Sequence, residues 1–203
     1  MFRSLTGVGG NGNLFEVETN GSQNVTAVVE ALANLQPVGW LPGGDRLVFM
    51  SIASTSPDMP RGFLVREPRG GLTPFRITNE EPADASLSPD GTRIAFREEG
   101  FGGSNLYVDV IPRSAAAPVR VWHGQGIHPH WGPDGRELYF VDRNRLMAVS
   151  VSGGPTLSVG TPVALFDVPS ATFAVDPKTG RFLVMVPKSA PEPSVTMTLN
   201  WRR

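Results

Sequence analysis

A nine-residue phrase recurs along this chain of 203 residues and limits what it can fold into. Ser88-Pro89-Asp90-Gly91-Thr92-Arg93-Ile94-Ala95-Phe96 joins a tight turn to a strand. Pro89 presets φ for the first turn position, Asp90 can bond its own backbone, and Gly91 accepts positive φ. The residues after the glycine then alternate polar and apolar, as a half-buried strand does. Gly132-Pro133-Asp134-Gly135-Arg136-Glu137-Leu138-Tyr139-Phe140 repeats the phrase, and Leu41-Pro42-Gly43-Gly44-Asp45-Arg46-Leu47-Val48-Phe49 is a looser copy. Asp176-Pro177-Lys178-Thr179-Gly180-Arg181-Phe182-Leu183-Val184 is a fourth copy, with one extra residue before its glycine.

The turn prolines stand at 42, 89, 133 and 177, so the period is 47, then 44, then 44 residues. A period in the forties that holds several short strands marks propeller blades. The expected fold is therefore all-β, a β-propeller of about four four-stranded blades, forming part of a larger propeller. Residues 1–203 read as one array, with blades at 37–78, 82–123 and 127–166 and a closing blade at 171–201. Residues 13–18 and 25–29 read as partial N-terminal strands. The second of them is expected to complete the last blade, as N-terminal strands do in closed propellers. A short helix over 24–35 is the competing local reading, since Ala, Glu and Leu favour helices.

Composition narrows the function classes. Twenty-three glycines and nineteen prolines suit a turn-rich chain, and a formal net charge of −1 leaves no footprint for nucleic acid. With no cysteine, thiol catalysis and thiolate metal sites are excluded. The first residues lack the apolar core of a signal peptide, and no apolar run approaches the roughly 18 residues that span a bilayer. Neither nucleic-acid binding nor direct membrane insertion is expected.

His130-Trp131-Gly132-Pro133-Asp134-Gly135, followed by Leu138-Tyr139-Phe140 and Leu146-Met147-Ala148-Val149, resembles the WD-like Pro-Asp-Gly repeat of TolB-type β-propellers. Thr179-Gly180-Arg181-Phe182-Leu183-Val184, with Thr196-Met197-Thr198-Leu199-Asn200-Trp201, resembles the closing blade of propellers attached to some bacterial serine/threonine kinases. The resemblance implies a binding or sensor accessory, set outside the cytoplasm as part of a longer bacterial protein. No kinase motif is present, neither a Gly-rich phosphate loop nor His-Arg-Asp nor Asp-Phe-Gly. The gating propeller of a prolyl-oligopeptidase-like hydrolase is the alternative. The serine elbow it would need is missing: Gly102-Gly103-Ser104-Asn105-Leu106 lacks the last glycine. From these absences the chain is expected to be a non-catalytic module and not an enzyme, needing no cofactor, with a protein, a peptide, or missing blades on another chain as partner.

Candidate site residues come from register. In propellers the innermost strands line the central channel, and here their residues are Pro37 and Gly39, Asp84 and Ser86, His128 and His130, and Thr172 and Ala174. Asp84, Ser86, His128 and His130 form the polar part of that ring and are the expected ligand contacts. Two-residue alternation would put His128 and His130 on one face. They lack a third ligand on their own strand, so no metal site is expected. Asp90 and Asp134 read as turn residues rather than a catalytic pair. Trp40 and Trp131 read as packing between blades, Trp122 and Trp201 as packed outer or terminal residues, and Arg93 and Arg136 as solvated flanks of turns. Loops at 51–61 and 99–104 vary most between units and are expected to carry any partner contact made by loops.

Overall fold

A computed structural model describes residues 2–4, 13–17, 24–31, 33–54, 59–113, 116–153 and 156–186. No helix occurs among them. The strands assemble into five antiparallel sheets that follow one another along the chain. The first sheet holds β1 (Phe2–Ser4), β2 (Asn13–Val17) and β3 (Val25–Val29) in that order. Two four-stranded sheets follow: β4 (Ala33–Trp40), β5 (Leu47–Ser54), β6 (Gly62–Arg66) and β7 (Leu72–Ile77), then β8 (Glu81–Leu87), β9 (Arg93–Gly100), β10 (Gly103–Val110) and β11 (Val119–His123). The next sheet runs through β12 (Ile127–Trp131), β13 (Glu137–Asp142) and β14 (Arg145–Ser152). Both β15 (Ser158–Val159) and β16 (Val163–Asp167) pair with β14. A two-stranded sheet of β17 (Phe173–Val175) and β18 (Phe182–Val184) ends the described chain.

Side chains alternate across each strand, so every middle sheet has two apolar faces, and four cores fill the spaces between consecutive sheets. Leu14 and Val29 meet Leu35, Leu47 and Phe49 in the first space, and Val48, Met50 and Phe63 meet Ile94 and Phe96 in the second. Ala95, Leu106 and Val108 face Trp131, Leu138 and Phe140 in the third. Tyr139, Val141 and Leu146 face Phe173, Phe182 and Val184 in the fourth. A charged link crosses the second space. Arg76 of β7 donates two hydrogen bonds to Glu98 of β9, at 2.9 and 3.1 Å, while its guanidinium lies 5.1 Å from the Phe96 ring centre. Glu98 is only 4% exposed, so removal of Arg76 would strand a buried charge.

The turns interlock as well. In the second blade Gly91 N donates to Ser88 O at 2.8 Å, and Thr92 N to Asp90 Oδ1 at 3.0 Å. The corresponding bonds in the next blade, Gly135 N to Gly132 O and Arg136 N to Asp134 Oδ1, are both 3.0 Å. Asp90 and Asp134 therefore hold their turns, as expected. The longer fourth turn closes instead from Gly180 N to Asp176 O at 2.9 Å. Each turn proline lies against the turn glycine of the following blade: Pro42 against Gly91, Pro89 against Gly135, Pro133 against Gly180. At Gly91 the approach leaves no room for a side chain, since a Cβ would sit 2.1 Å from Pro42 Cδ.

Several expectations need correction. Residues 25–29 do not complete the last blade; β3 pairs with β2, and the Leu14–Val29 face of that sheet is buried against β4 and its neighbours. A neighbour close in sequence supplies the partner strand at lower loop-closure cost than the far end of the chain. The segment 99–104 is not a loop, because β9 and β10 pair as far as Gly100 and Gly103 and leave only Phe101 and Gly102 at the tip. Arg93 is not solvated: its Nη1 donates to Gly135 O at 3.1 Å across the blade boundary, and its side chain is 14% exposed. Residues 25–29 and 33–40 are strands rather than a helix. The expected strand at 194–201, with Trp201, lies outside the described residues.

Turn glycines at similar φ, +66° for Gly91 and +67° for Gly135, separate two costs. Gly135→Ala pays only the left-handed conformation, about 1–2 kcal/mol, because its Cβ would lie 3.6 Å from Pro89. Gly91→Ala must also displace Pro42, so urea denaturation should show it losing clearly more stability than Gly135→Ala. Equal losses would mean that the turn stacking contributes nothing.

Candidate functional site

The inner strands β4, β8 and β12 are sheet edges, and each is irregular. Pairing with the neighbouring strand slips between Pro37 and Gly39, between Pro82 and Ala85, and between Ile127 and His130. Prolines and bulges are the usual guards of an exposed edge, since both interrupt the ladder a foreign strand would extend. The bulges also re-aim side chains. Asp84 and His128 are 44 residues apart, one repeat, and both lie within these bulges.

Asp84 is the hub of a polar network. Its Oδ2 accepts from Arg97 Nε at 3.1 Å and from the His128 backbone N at 3.4 Å, and its Oδ1 lies 3.9 Å from His128 Nδ1. Arg97 also donates through Nη1 to Glu99 and, at 3.2 Å, to Ser104 Oγ. Ser104 Oγ donates to Gln125 O at 3.3 Å, and Gln125 N donates to Asp142 Oδ1 at 3.1 Å. The network thus spans the boundary between the second and third blades. Arg97 is 12% exposed and Asp84 26%, whereas the His128 side chain is 49% exposed and faces solvent over them. His128 holds φ at +54°, which costs a non-glycine residue about 1–2 kcal/mol. Such outliers concentrate where a side chain must point a particular way.

Two of the four expected residues are in contact; His130 lies within electrostatic reach of both, and Ser86 enters only through its carbonyl. Asp84 and His128 touch. His130 does not share a face with His128, because the bulge inserts a residue between Ile127 and His130 and breaks the alternation. Its ring instead meets Phe173 of the last sheet edge-on, 5.0 Å between centres. Ser86 contributes its carbonyl, which accepts the Trp131 indole N–H at 3.0 Å, a contact that ties adjacent inner strands together. Trp131 is buried as expected, Trp40 packs against the first core, and Trp122 lies partly buried against Phe140. Among the described residues no three His, Cys, Asp or Glu side chains gather as metal ligands.

Arg97, Ser104 and Gln125 were not expected at the site. The repeat does carry a signal for Arg97, since the equivalent positions hold Met50 and Val141. A charged residue in a slot otherwise apolar needs a partner, and Asp84 on the adjacent strand is that partner. Ser104 and Gln125 reach the site through hairpin geometry, which no local pattern announces.

Burial pushes the His130 imidazole below the ordinary histidine range, the nearby His128 adds to this, and Asp84 opposes it. The folded state therefore favours neutral His130, and acidification below the unfolded-state pKa costs stability until the folded pKa is passed. Asp84→Asn removes the opposing charge. NMR titration of the imidazole should show the His130 pKa falling further, and urea denaturation should show acid destabilisation continuing to lower pH. An unchanged His130 titration in Asp84→Asn would show that the two groups are not coupled.

Solved structures with this fold include TolB from Acinetobacter baumannii, at TM-score 0.57 and 15% identity over 80% of this chain and 40% of that one. An auxiliary nutrient binding protein from Bacteroides thetaiotaomicron follows at 0.51 and 14%, over 76% of this chain and 37% of that one. The chain thus spans about two fifths of the length of these structures. No protein-family model matches it, and neither does any curated protein. The periplasmic gluconolactonase of Pseudomonas aeruginosa is also similar, at 0.45 and 16%, over 84% of this chain and 61% of that one. The expectation that the chain is not an enzyme nevertheless needs correction. Missing kinase and serine-elbow motifs exclude only those two chemistries, and a propeller fold by itself decides neither way. The likeness assigns no reaction to this chain. What the sheets, their order and these neighbours establish together is an all-β, TolB-like propeller fold, present here as part of a ring.

Proposed function

We propose that the chain is a binding module of the TolB-like propeller kind, and that it takes a protein segment, a peptide or a small polar ligand at the inner-strand rim around Asp84 and His128. One observation carries this reading. Two bulged inner strands, one repeat apart, bring an acid and an imidazole together over a buttressed arginine, with the imidazole half exposed in a left-handed conformation. Arg97 keeps Asp84 in place, and Ser104 and Gln125 keep Arg97 in place, so the rim is pre-organised and a ligand would pay little to order it.

The resemblance of the repeats to TolB-type propellers supports an extracytoplasmic setting within a longer bacterial protein. The finer setting, a sensor propeller attached to a kinase, rests on the sequence of 179–184 and 196–201 alone.

The test is an NMR titration of the ¹⁵N-labelled chain with short peptides of opposite charge and with small polar solutes. The reading expects saturable shifts centred on the amides of Asp84, Arg97, Gln125 and His128. Those shifts should be lost in His128→Ala, whose melting temperature should stay near that of the parent. Shifts that survive both Asp84→Ala and His128→Ala, or that fall on other surfaces only, would overturn it.

A further inference from the structure

Equivalent hairpins of the repeat differ in length and in what they carry at the tip. In the third blade β13 and β14 pair over six residues a side, from Glu137 with Ser150 to Asp142 with Arg145, and turn through Arg143-Asn144. In the second blade β9 and β10 start from the equivalent place, Arg93 with Val110, but run to eight pairs and end at Gly100 with Gly103. The second hairpin therefore reaches two residues further, about 7 Å at the rise of a strand. It also outruns its own sheet, since β8 pairs no further along it than Glu99 and β11 no further than Asn105.

Phe101 and Gly102 form the tip. Hairpin turns favour Gly, Asn and Asp, and a large apolar side chain there gains nothing from the fold. Phe101 is 114% exposed, and the space around Gly102 is open. Among the described residues no other Phe, Tyr or Trp is exposed. The second blade has a described sheet on each side, so this exposure owes nothing to the ends of the chain. The stalk beneath the tip is braced: Arg97 Nη1 reaches Ser104 Oγ across its base, and the Glu80 carboxylate lies where a Cβ on Gly100 would stand.

Carboxylates surround this apolar point. Glu80 lies beside Gly100, Glu81 pairs across to Glu99, and all three acids are exposed. Against them stand Arg97, already bonded to Asp84 and Glu99, and Arg61, which donates to the Asn79 carbonyl at 3.4 Å. An anionic lipid surface would be repelled here, and one aromatic ring gives little hold on a neutral one. Aromatic side chains that fill a pocket are instead typical anchors of protein interfaces, and a braced hairpin loses little freedom on docking.

We infer that the β9–β10 hairpin is a docking prong, with Phe101 as its anchor, for a protein partner that offers an apolar pocket rimmed by lysine or arginine. The contact goes beyond the Asp84 rim and needs no ligand there.

The test places the photo-crosslinker p-benzoylphenylalanine at position 101 of the full chain in cells of the source organism, with position 144 at the third-blade tip as control. Irradiation should join position 101, and not 144, to one protein that mass spectrometry identifies. With that protein purified, Phe101→Ser should weaken binding at least tenfold in calorimetry while keeping the parent circular dichroism spectrum and melting temperature. Glu80→Gln, Glu81→Gln and Glu99→Gln combined should weaken it further and flatten its dependence on salt. Phe101→Ser should leave any ligand shifts at Asp84 and His128 unchanged, which separates this contact from the rim. Absence of an adduct above the control would overturn the inference, as would adducts only to another copy or to another part of the same polypeptide. Partner binding that Phe101→Ser leaves intact would overturn it too, and so would Phe101-dependent flotation with phosphatidylcholine or phosphatidylglycerol vesicles.

Discussion

A single sheet of this protein has two apolar faces, and burying both requires a sheet on either side. Everything else in the architecture follows from that requirement. The four cores lie between sheets and not within them. Fully burying one Leu, Ile or Phe stabilises by about 1.5–3 kcal/mol, and every inter-sheet space gathers several. A blade is therefore stable as a member of a series, and stability passes from neighbour to neighbour along it. Non-directional burial does not choose how one sheet is rotated on the next. The directional contacts at the boundaries do: the prolines stacked on the next turn's glycine, the Arg76–Glu98 pair, Arg93 on the Gly135 carbonyl, and the Trp131 indole on the Ser86 carbonyl.

The candidate rim uses the same boundary for another purpose. Inner strands have no partner on their inner side, so they tolerate prolines and bulges that a central strand would not. That tolerance lets Asp84 and His128 leave the alternation and turn toward each other across two blades. The middle strands of each blade hold the regular ladders, β5 with β6, β9 with β10 and β13 with β14. Arg97 belongs to the regular part. It projects from β9 and fixes the acid from behind, which leaves the histidine as the solvent-facing member.

Most of the fold was legible in the sequence. The Pro-Asp-Gly phrases mark turns whose conformation is local, and the strands after them alternate with a period that only a pleated strand produces. Both signals act over a few residues, so they survive without knowledge of the rest of the chain. Asp134 could be assigned to its turn for that reason, and so could Trp131 to a blade boundary, since its register repeats that of Trp40. The site was legible only in part. Asp84 and His128 could be placed on inner strands by counting from the turn prolines, and Arg97 could have been found as the charged member of an otherwise apolar register. The separation of His128 from His130 could not, because a bulge depends on how two strands pair.

The sequence by itself determined the repeat, the strand-turn units and the residues available at each register, since these follow from backbone preference and short-range periodicity. Only the tertiary structure decided which sheet the N-terminal strands join, that a bulge parts His128 from His130, and that Arg93 spans a blade boundary. Those outcomes depend on contacts between residues tens of positions apart. Their energies come from burial and from hydrogen bonds completed across sheets, and no window of sequence contains both partners.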